Sequence, residues 1–514
     1  MKIALVGVYA SPEATGLRLV SSFLKSRGHQ VRMILMTAKR SHKSQRTYKP
    51  ELIEQFVEKV RDCDLVGMGL MTNCYYQARE LTEAIRRVDL KSPVVWGGVH
   101  PTVAPESCID FADIVCVGEG EWPMLELADA MEAGKDYSRI PSLWVRQNGH
   151  VVKNEVRPLH ENLDEMPFAD YEIDNDHYVV HKGDIVPAEP DKMRHSLVRY
   201  RLLTTRGCPY ACAFCCNSTW LRTYRGKGPW VRKRSIAHVL DELEAIKRRF
   251  PTVNSVNVAD DTFFVRDESE FEEFAEGYRS RIGWPFEINT HPATISDRKV
   301  QLLQSCGCWL IKMGIQSGCQ ATNYEIYNRR VSNERIIEAI RTLERFPALR
   351  KEYHFIVSNP FENDESMIET LHFAAEHQGS ASRALIFPLA FFPGSQLYLR
   401  AKEQGLLKDE QAEIYERIYT GAAKRQFVRL GYLTMLLQIA VNVRRWGIPR
   451  PIVHRFIDLM TCGPVRACLD RSWFKWTAIG AYLGGRKVSR ILGQAVRPFR
   501  KRQPAWAAAA EPEG

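Results

Sequence analysis

The stretch "RGCPYACAFCCN", residues 206–217, places four cysteines within nine positions. Three of them, Cys208, Cys212 and Cys215, have the spacing C-x3-C-x2-C. Three thiolates can hold a [4Fe–4S] cluster and leave its fourth iron open to a ligand. A structural zinc site takes four protein ligands, usually from two separated pairs. The adjacent Cys216 offers a fourth thiol, but neighbouring side chains on an extended chain point apart. The spacing favours the open cluster, with zinc and inert thiols as the alternatives.

Around this stretch the chain alternates between short apolar runs and amphipathic segments from residue 198 to about 400. Strands are expected at "RLLTTR", "SVNVAD", "FEINT", "WLIKMGI", "YHFIVS" and "ALIFPLA". Helices follow them, as in "SIAHVLDELEAIKRR". There Ser235 is a natural N-cap, and Ile236, Val239, Leu240, Leu243 and Ile246 form one apolar face. Six such units predict an open (β/α)6 partial barrel with its site at the carboxyl ends of the strands. The cysteine stretch follows the first of these strands.

"CPYACAFC" resembles the radical S-adenosylmethionine (SAM) signature C-x3-C-x-aromatic-C, with Phe214 as the aromatic. The resemblance implies that Cys208, Cys212 and Cys215 hold the cluster and that its open iron binds SAM. In that family an electron from the cluster cleaves SAM to methionine and a 5′-deoxyadenosyl radical. "NVADDTF" at 257–263 resembles the second-strand motif and implies Asp260 or Asp261 near the SAM amino group. "MGIQSG" at 313–318 resembles the fourth-strand GxESG motif, implying ribose contacts from Gln316 and Ser317. The amide of Gln316 keeps the hydrogen-bonding capacity of the usual glutamate without its charge. "FIVSNP" followed by "ENDES" is similar to the fifth-strand segment without its glycines, and "FFPGSQLY" to the segment near the sixth strand.

The first 135 residues repeat the alternation. Strands are expected at "KIALVGV", "QVRMILM", "DLVGMGLM", "PVVWGG" and "DIVCVG", separated by helical patterns such as "QARELTEAIRRV". Continuous apolar strands joined by helices predict a doubly wound parallel sheet covered on both faces. Ligands of such sheets bind outside the carboxyl ends of the strands. Glycines cluster there, in "VVWGGVHPT" and "DIVCVGEGE"; by themselves these read as two tight βα turns, with close approach of backbone to a flat ligand as the alternative that only glycine allows. Placed before the cysteine domain, these segments resemble the cobalamin-binding domain of B12-dependent radical SAM enzymes. The resemblance implies cobalamin contacts from Gly69, Thr72, Gly97, Gly98, Gly118, Glu119 and Gly120. The loop "VYASPEATG" lacks D-x-H-x2-G, so cobalamin is expected with its own base displaced and no histidine on cobalt.

Residues 136–197 read as a proline-bearing linker, and residues 401–514 as a helical, basic region with a disordered end. Thirteen cysteines scattered over 514 residues do not form a secreted disulfide framework. No apolar run reaches transmembrane length, and "MKIALVGVYA" reads as a strand rather than a signal peptide, so a cytoplasmic location is expected. The net charge of +10 is concentrated after Gly421. "RSWFKWTAIGAYLGGRKVSR" there admits a solvated tail, a peripheral membrane contact through Trp473, Phe474 and Trp476, or, less well, a nucleic-acid surface.

Taken together, the resemblance implies a cobalamin-dependent radical SAM enzyme transferring methyl to an unactivated carbon of a small-molecule or lipid-like substrate. An electron donor such as flavodoxin or ferredoxin would serve it. Radical oxidation, cyclisation or ring rearrangement is the alternative chemistry. A cobalamin-binding sensor would have no use for the cysteine triad, and a methylthiotransferase would need a further three-cysteine domain.

Overall fold

The computed structural model describes residues 1–9, 13–37, 48–172, 176–189, 198–379, 382–416, 432–445 and 447–465. The amino-terminal strands are β1 (Lys2–Val8), β2 (Gln30–Leu35), β3 (Leu65–Leu70), β4 (Val94–Gly97) and β5 (Ile114–Cys116). They pair in parallel in the order β5-β4-β3-β1-β2. Alternate residues serve two cores. Ala4 and Val6 meet Phe56, Ala78 and Leu81 from the helices Pro50–Val60 and Tyr75–Arg87. Ile3 and Leu5 meet Leu17, Leu24 and Leu127 from the helices Thr15–Ser26 and Glu121–Glu132. Burial on both faces is why these strands read as unbroken apolar runs.

The stretch 136–197 is more than a linker. β6 (Leu143–Gln147) and β7 (His150–Lys153) add an antiparallel hairpin beyond β5. β8 (His177–His181) and β9 (Asp184–Pro187) extend the other edge beyond β2, giving nine strands. Pro187 ends the outermost strand, where a missing N–H costs no ladder bond.

A second sheet follows, with β10 (Arg199–Leu202) at one edge and a small antiparallel pair, β11 (Thr205–Arg206) with β12 (Arg232–Lys233), beside it. β13 (Ser255–Val258), β14 (Phe286–Thr290), β15 (Cys308–Gln316), β16 (Arg350–Val357) and β17 (Ser382–Pro388) complete it. The order β10-β13-β14-β15-β16-β17 is sequential and parallel throughout, the predicted six-unit partial barrel. Val256, Ile288, Ile311, Met313 and Phe355 share one core with Val239, Leu243, Ile336 and Leu371 of the outer helices. Ser235 caps the helix Ile236–Arg249 by accepting from the His238 N–H at 3.1 Å. The helices Tyr432–Arg445 and Arg450–Thr461 join the same core through Leu436, Leu437, Val453 and Ile457. Trp473, Phe474 and Trp476 lie outside the described residues. Among the described residues no helix is long and apolar enough to cross a membrane.

Candidate cluster and cofactor site

The cysteine loop leaves β11 through Gly207, at φ 89°, where a Cβ would overlap the carbonyl of Trp230. No other residue fits that turn. The loop is then pinned at several backbone groups. Trp230 Nε1 donates to the Cys208 carbonyl at 2.8 Å, and Asn328 Nδ2 to the Ala211 carbonyl at 3.1 Å. The Ala213 N–H donates to the Tyr327 carbonyl at 2.8 Å, while its own carbonyl accepts from the Leu397 N–H at 3.0 Å. Segments after the fourth and sixth barrel strands therefore hold the loop over the carboxyl ends of the sheet. Phe214 packs edge-on against Tyr327, ring centroids 5.2 Å apart.

The donor set suits a cluster better than a single ion. Among the described residues, the one trio of Cys, His, Asp or Glu ligand atoms within 4.8 Å of one another is His29, Asp129 and Glu132, far from the cysteines in sequence. The Met1 amino group already pairs with Glu132 there at 2.8 Å. Sulfurs bound to one zinc would stand about 3.8 Å apart, given Zn–S bonds near 2.3 Å. Cys208, Cys212 and Cys215 form no such compact trio among the described residues. Burial pushes the Cys208 thiol up to about 12, and burial likewise raises Cys212. Arg329 moderates the second of these, with Nη1 3.7 Å from the Cys212 sulfur. Its Nη2 donates to the Gly314 carbonyl at 2.6 Å, tying the cysteine loop to β15.

The two candidate carboxylates have different fates. Asp260 is fully buried and accepts from the Thr204 N–H at 2.7 Å, the Thr204 hydroxyl at 2.5 Å and the Thr205 N–H at 3.2 Å. It joins the ends of β10 and β13 and has no free oxygen for a cofactor. Asp261 is on the accessible side, with Asn217 bonded to its carboxylate and Cys208, Cys215 and Cys216 feeling its charge. Similarly, Ser317 is buried and spent on Thr370 at 3.0 Å and the Cys319 N–H at 3.1 Å. Gln316 is half-buried at φ 73°, where the β15–β16 register shifts. A non-glycine residue in that region is strained, and its amide folds over Gly314, which has no Cβ to obstruct it.

At the carboxyl ends of β3, β4 and β5, Gly98 and Gly118 have φ values of 99° and 95°. Gly98 lies against the Leu70 carbonyl, from which a Cβ would stand only 3.1 Å. Gly97 and Gly120 have ordinary clearance. Thr72 is buried with its hydroxyl 3.2 Å from His100 Nδ1, and Ser107 engages His100 Nε2 at 3.2 Å. Both nitrogens of His100 are thus occupied. Gly69 is covered by the Tyr9 hydroxyl, 2.6 Å from where a Cβ would stand. Gly118 is likewise covered, by the Tyr224 hydroxyl, so this glycine floor would seat a flat macrocycle on the rings of Tyr9 and Tyr224 as well as on bare backbone, and neither nitrogen of His100 is free to reach it.

Glu119, expected at the cobalamin, is instead the hub of the junction between the two sheets. Its carboxylate pairs with Arg232 at 2.5 Å and Arg206 at 3.1 Å, and Arg206 also holds Glu121 at 2.5 Å. Arg232 is almost fully buried, so this network locks β11 and β12 to the end of β5. Tyr224 crosses the same junction, accepting from the Glu119 N–H at 2.7 Å. Its ring stacks between Trp220 and Trp230, and Trp230 in turn holds the Cys208 carbonyl. Sequence reasoning missed Tyr224, Arg206 and Arg329, because no local pattern marks a residue whose partner lies in another domain.

Two family comparisons agree with this fold. Residues 1–128 match the B12 binding domain and residues 202–374 match the radical SAM superfamily. An uncharacterized methyltransferase of Pyrococcus horikoshii is 25% identical over 399 residues, covering 74% of this chain and 81% of that protein. Anaerobic magnesium-protoporphyrin IX monomethyl ester cyclase of Cereibacter sphaeroides is also 25% identical, over 66% of this chain but only 54% of the cyclase. The solved structure of the radical SAM methyltransferase TsrM from Kitasatospora setae, with tryptophan and a SAM analogue bound, superposes with a TM-score of 0.61. The identity is 17%, over 78% of this chain and 76% of that one. That likeness is one of fold.

Proposed function

We propose that this chain, a cobalamin-dependent radical SAM enzyme built from a B12 binding domain and a radical SAM domain, transfers a methyl group to an unactivated carbon of a small molecule. The observation carrying this reading is the junction at Glu119, where the strand ends of one sheet meet the cysteine loop of the other. When bound, the cluster supplies an electron to SAM and cobalamin supplies a transferable methyl group. Cys208, Cys212 and Cys215 would hold the cluster, Asp261 and Gln316 would bind SAM, and the glycine floor would seat cobalamin.

The protein's own contribution is orientation and exclusion of water. The pinned cysteine loop fixes one reaction centre, and the Arg206–Glu119–Arg232 network fixes its position relative to the other. On the inner wall of the half-barrel, Glu287 is nearly buried between Arg199 at 2.8 Å and Lys312 at 3.0 Å. His354 stands nearby on the same face, held down to about 4 by burial and by Lys312, and so neutral. A charged floor of this kind favours a polar small molecule over a wholly lipid-like one. The electron would come from a carrier of the flavodoxin or ferredoxin kind.

A second reading, radical cyclisation or oxidation without methyl transfer, is supported by the cyclase relative at equal identity. Incubating reconstituted enzyme with methyl-labelled SAM and cell extract separates the two. Label in a new product supports methyl transfer, whereas an altered product without label overturns it.

A further inference from the structure

Tyr9 follows the last residue of β1, at the start of the loop leading to the helix Thr15–Ser26. β1 is flanked by β2 on one side and β3 on the other, and the chain passes from β1 to β2 on one side and from β3 to β4 on the other. The carboxyl end of a strand at such a reversal is where ligands of these sheets bind. Tyr9 stands at that end. A Cβ on Gly69 would meet its hydroxyl at 2.6 Å, one on Gly98 at 3.7 Å, and one on Gly7 would meet its ring at 3.3 Å. Three neighbouring strand ends thus lack side chains where the phenol ring lies across them.

Burial raises the Tyr9 pKa, with Cys74 adding to it, so the phenol stays protonated. Its hydroxyl has no hydrogen-bond partner among the described residues. The described histidines of this domain are committed elsewhere. His100 is fully buried between Thr72 and Ser107, and His29 pairs with Asp129 at 3.0 Å beside the Met1 amino group. His42 lies outside the described residues.

We propose that Tyr9 lies against the lower face of the bound corrin, placing a phenol on the axial side of cobalt where a D-x-H-x2-G loop would place a histidine. This rests on the assignment of cobalamin to the glycine floor. Tyr9 is then a positioning residue: it keeps nitrogen donors from the lower face and supports the macrocycle through its ring.

The test uses full-length protein containing ring-deuterated tyrosine, loaded with hydroxocobalamin and reduced to the cob(II) state. Absorption first establishes that cobalamin is bound and base-off. Electron–nuclear double resonance should then resolve a deuterium coupling to cobalt's unpaired electron. That coupling should vanish in Tyr9→Phe, which keeps the ring but carries no label, with circular dichroism unchanged. The continuous-wave spectrum of the unsubstituted protein should lack the three-line splitting of an axial nitrogen. A loaded protein with no deuterium coupling, with a coupling that survives in Tyr9→Phe, or with nitrogen splitting overturns the placement of Tyr9. Failure to bind cobalamin at all, seen in the absorption step, overturns the cobalamin assignment and this placement together. Absence of the coupling from the unsubstituted protein overturns the placement whether or not Tyr9→Phe folds, and if Tyr9→Phe folds poorly, Tyr9→Leu supplies the control in which the coupling must vanish.

Discussion

The Tyr224 hydroxyl accepts a hydrogen bond from the Glu119 N–H at 2.7 Å and occupies the space above Gly118. A side chain at 118 would need both a left-handed backbone and a different place for Tyr224. Gly118→Ala is therefore expected to destabilise the chain by about 2–3 kcal/mol, combining backbone strain with overlap. Tyr224→Phe should cost about 1 kcal/mol, the value of one hydrogen bond. Because both changes act on one contact, the double variant should cost less than the sum. Urea unfolding of the four proteins measures this. Strict additivity would mean that Gly118 and Tyr224 act independently.

The cluster assignment separates Cys216 from its neighbours. Alanine at 208, 212 or 215 should each abolish cluster binding, whereas Cys216→Ala should keep it. Iron and sulfide analysis of anaerobically reconstituted protein gives the readout, with about four irons expected for an intact [4Fe–4S] cluster. Loss of iron in Cys216→Ala would place a fourth thiolate on the metal and return the zinc-like reading to consideration.

How legible the site was depended on how local each determinant is. β1 and β14 were read to the residue, because a run such as "KIALVGV" buried on both faces carries its own signal. The six barrel strands and the Ser235 cap were likewise visible as periodicity and spacing. β6 to β9 were not, since five prolines between 141 and 190 masked short edge strands. Asp260 and Asp261 could not be told apart in sequence. Adjacent residues at a strand end face opposite ways, and only the position of Thr204 decides which is consumed. Glu119 was read as a cobalamin contact because its partners, Arg206 and Arg232, lie in the next domain.

Those two aspartates yield a direct prediction. Asp260→Ala should leave three buried donors without their acceptor and destabilise the fold by about 3 kcal/mol or more. Asp261→Asn should leave the urea midpoint within about 0.5 kcal/mol of the parent, as expected for an accessible side chain. Its effect should fall on SAM affinity, which calorimetry with the clustered protein would show weakened at least about tenfold, or ~1.4 kcal/mol. Unchanged affinity would remove Asp261 from the SAM site.

Acid sensitivity should trace to Asp170. Its carboxylate is fully buried, yet Ser21 Oγ lies at 2.5 Å, Lys25 Nζ at 3.0 Å and His177 Nε2 at 3.2 Å, joining the helix Thr15–Ser26 to β8. Burial alone would raise its pKa, but His177, Ser21 and Lys25 outweigh it and hold the carboxyl well below the usual carboxylate range. A depressed folded pKa means that the charged form stabilises the fold above the unfolded value near pH 4, with the gain lost as pH falls further toward the folded value. Asp170→Asn should thus cost about 2 kcal/mol at pH 7. The gap between parent and variant should hold down to about pH 4 and narrow below it. Urea midpoints followed by tryptophan fluorescence on cofactor-free protein, at several pH values, measure the gap. A constant difference down to the lowest pH at which the parent folds would assign the acid sensitivity to another carboxylate.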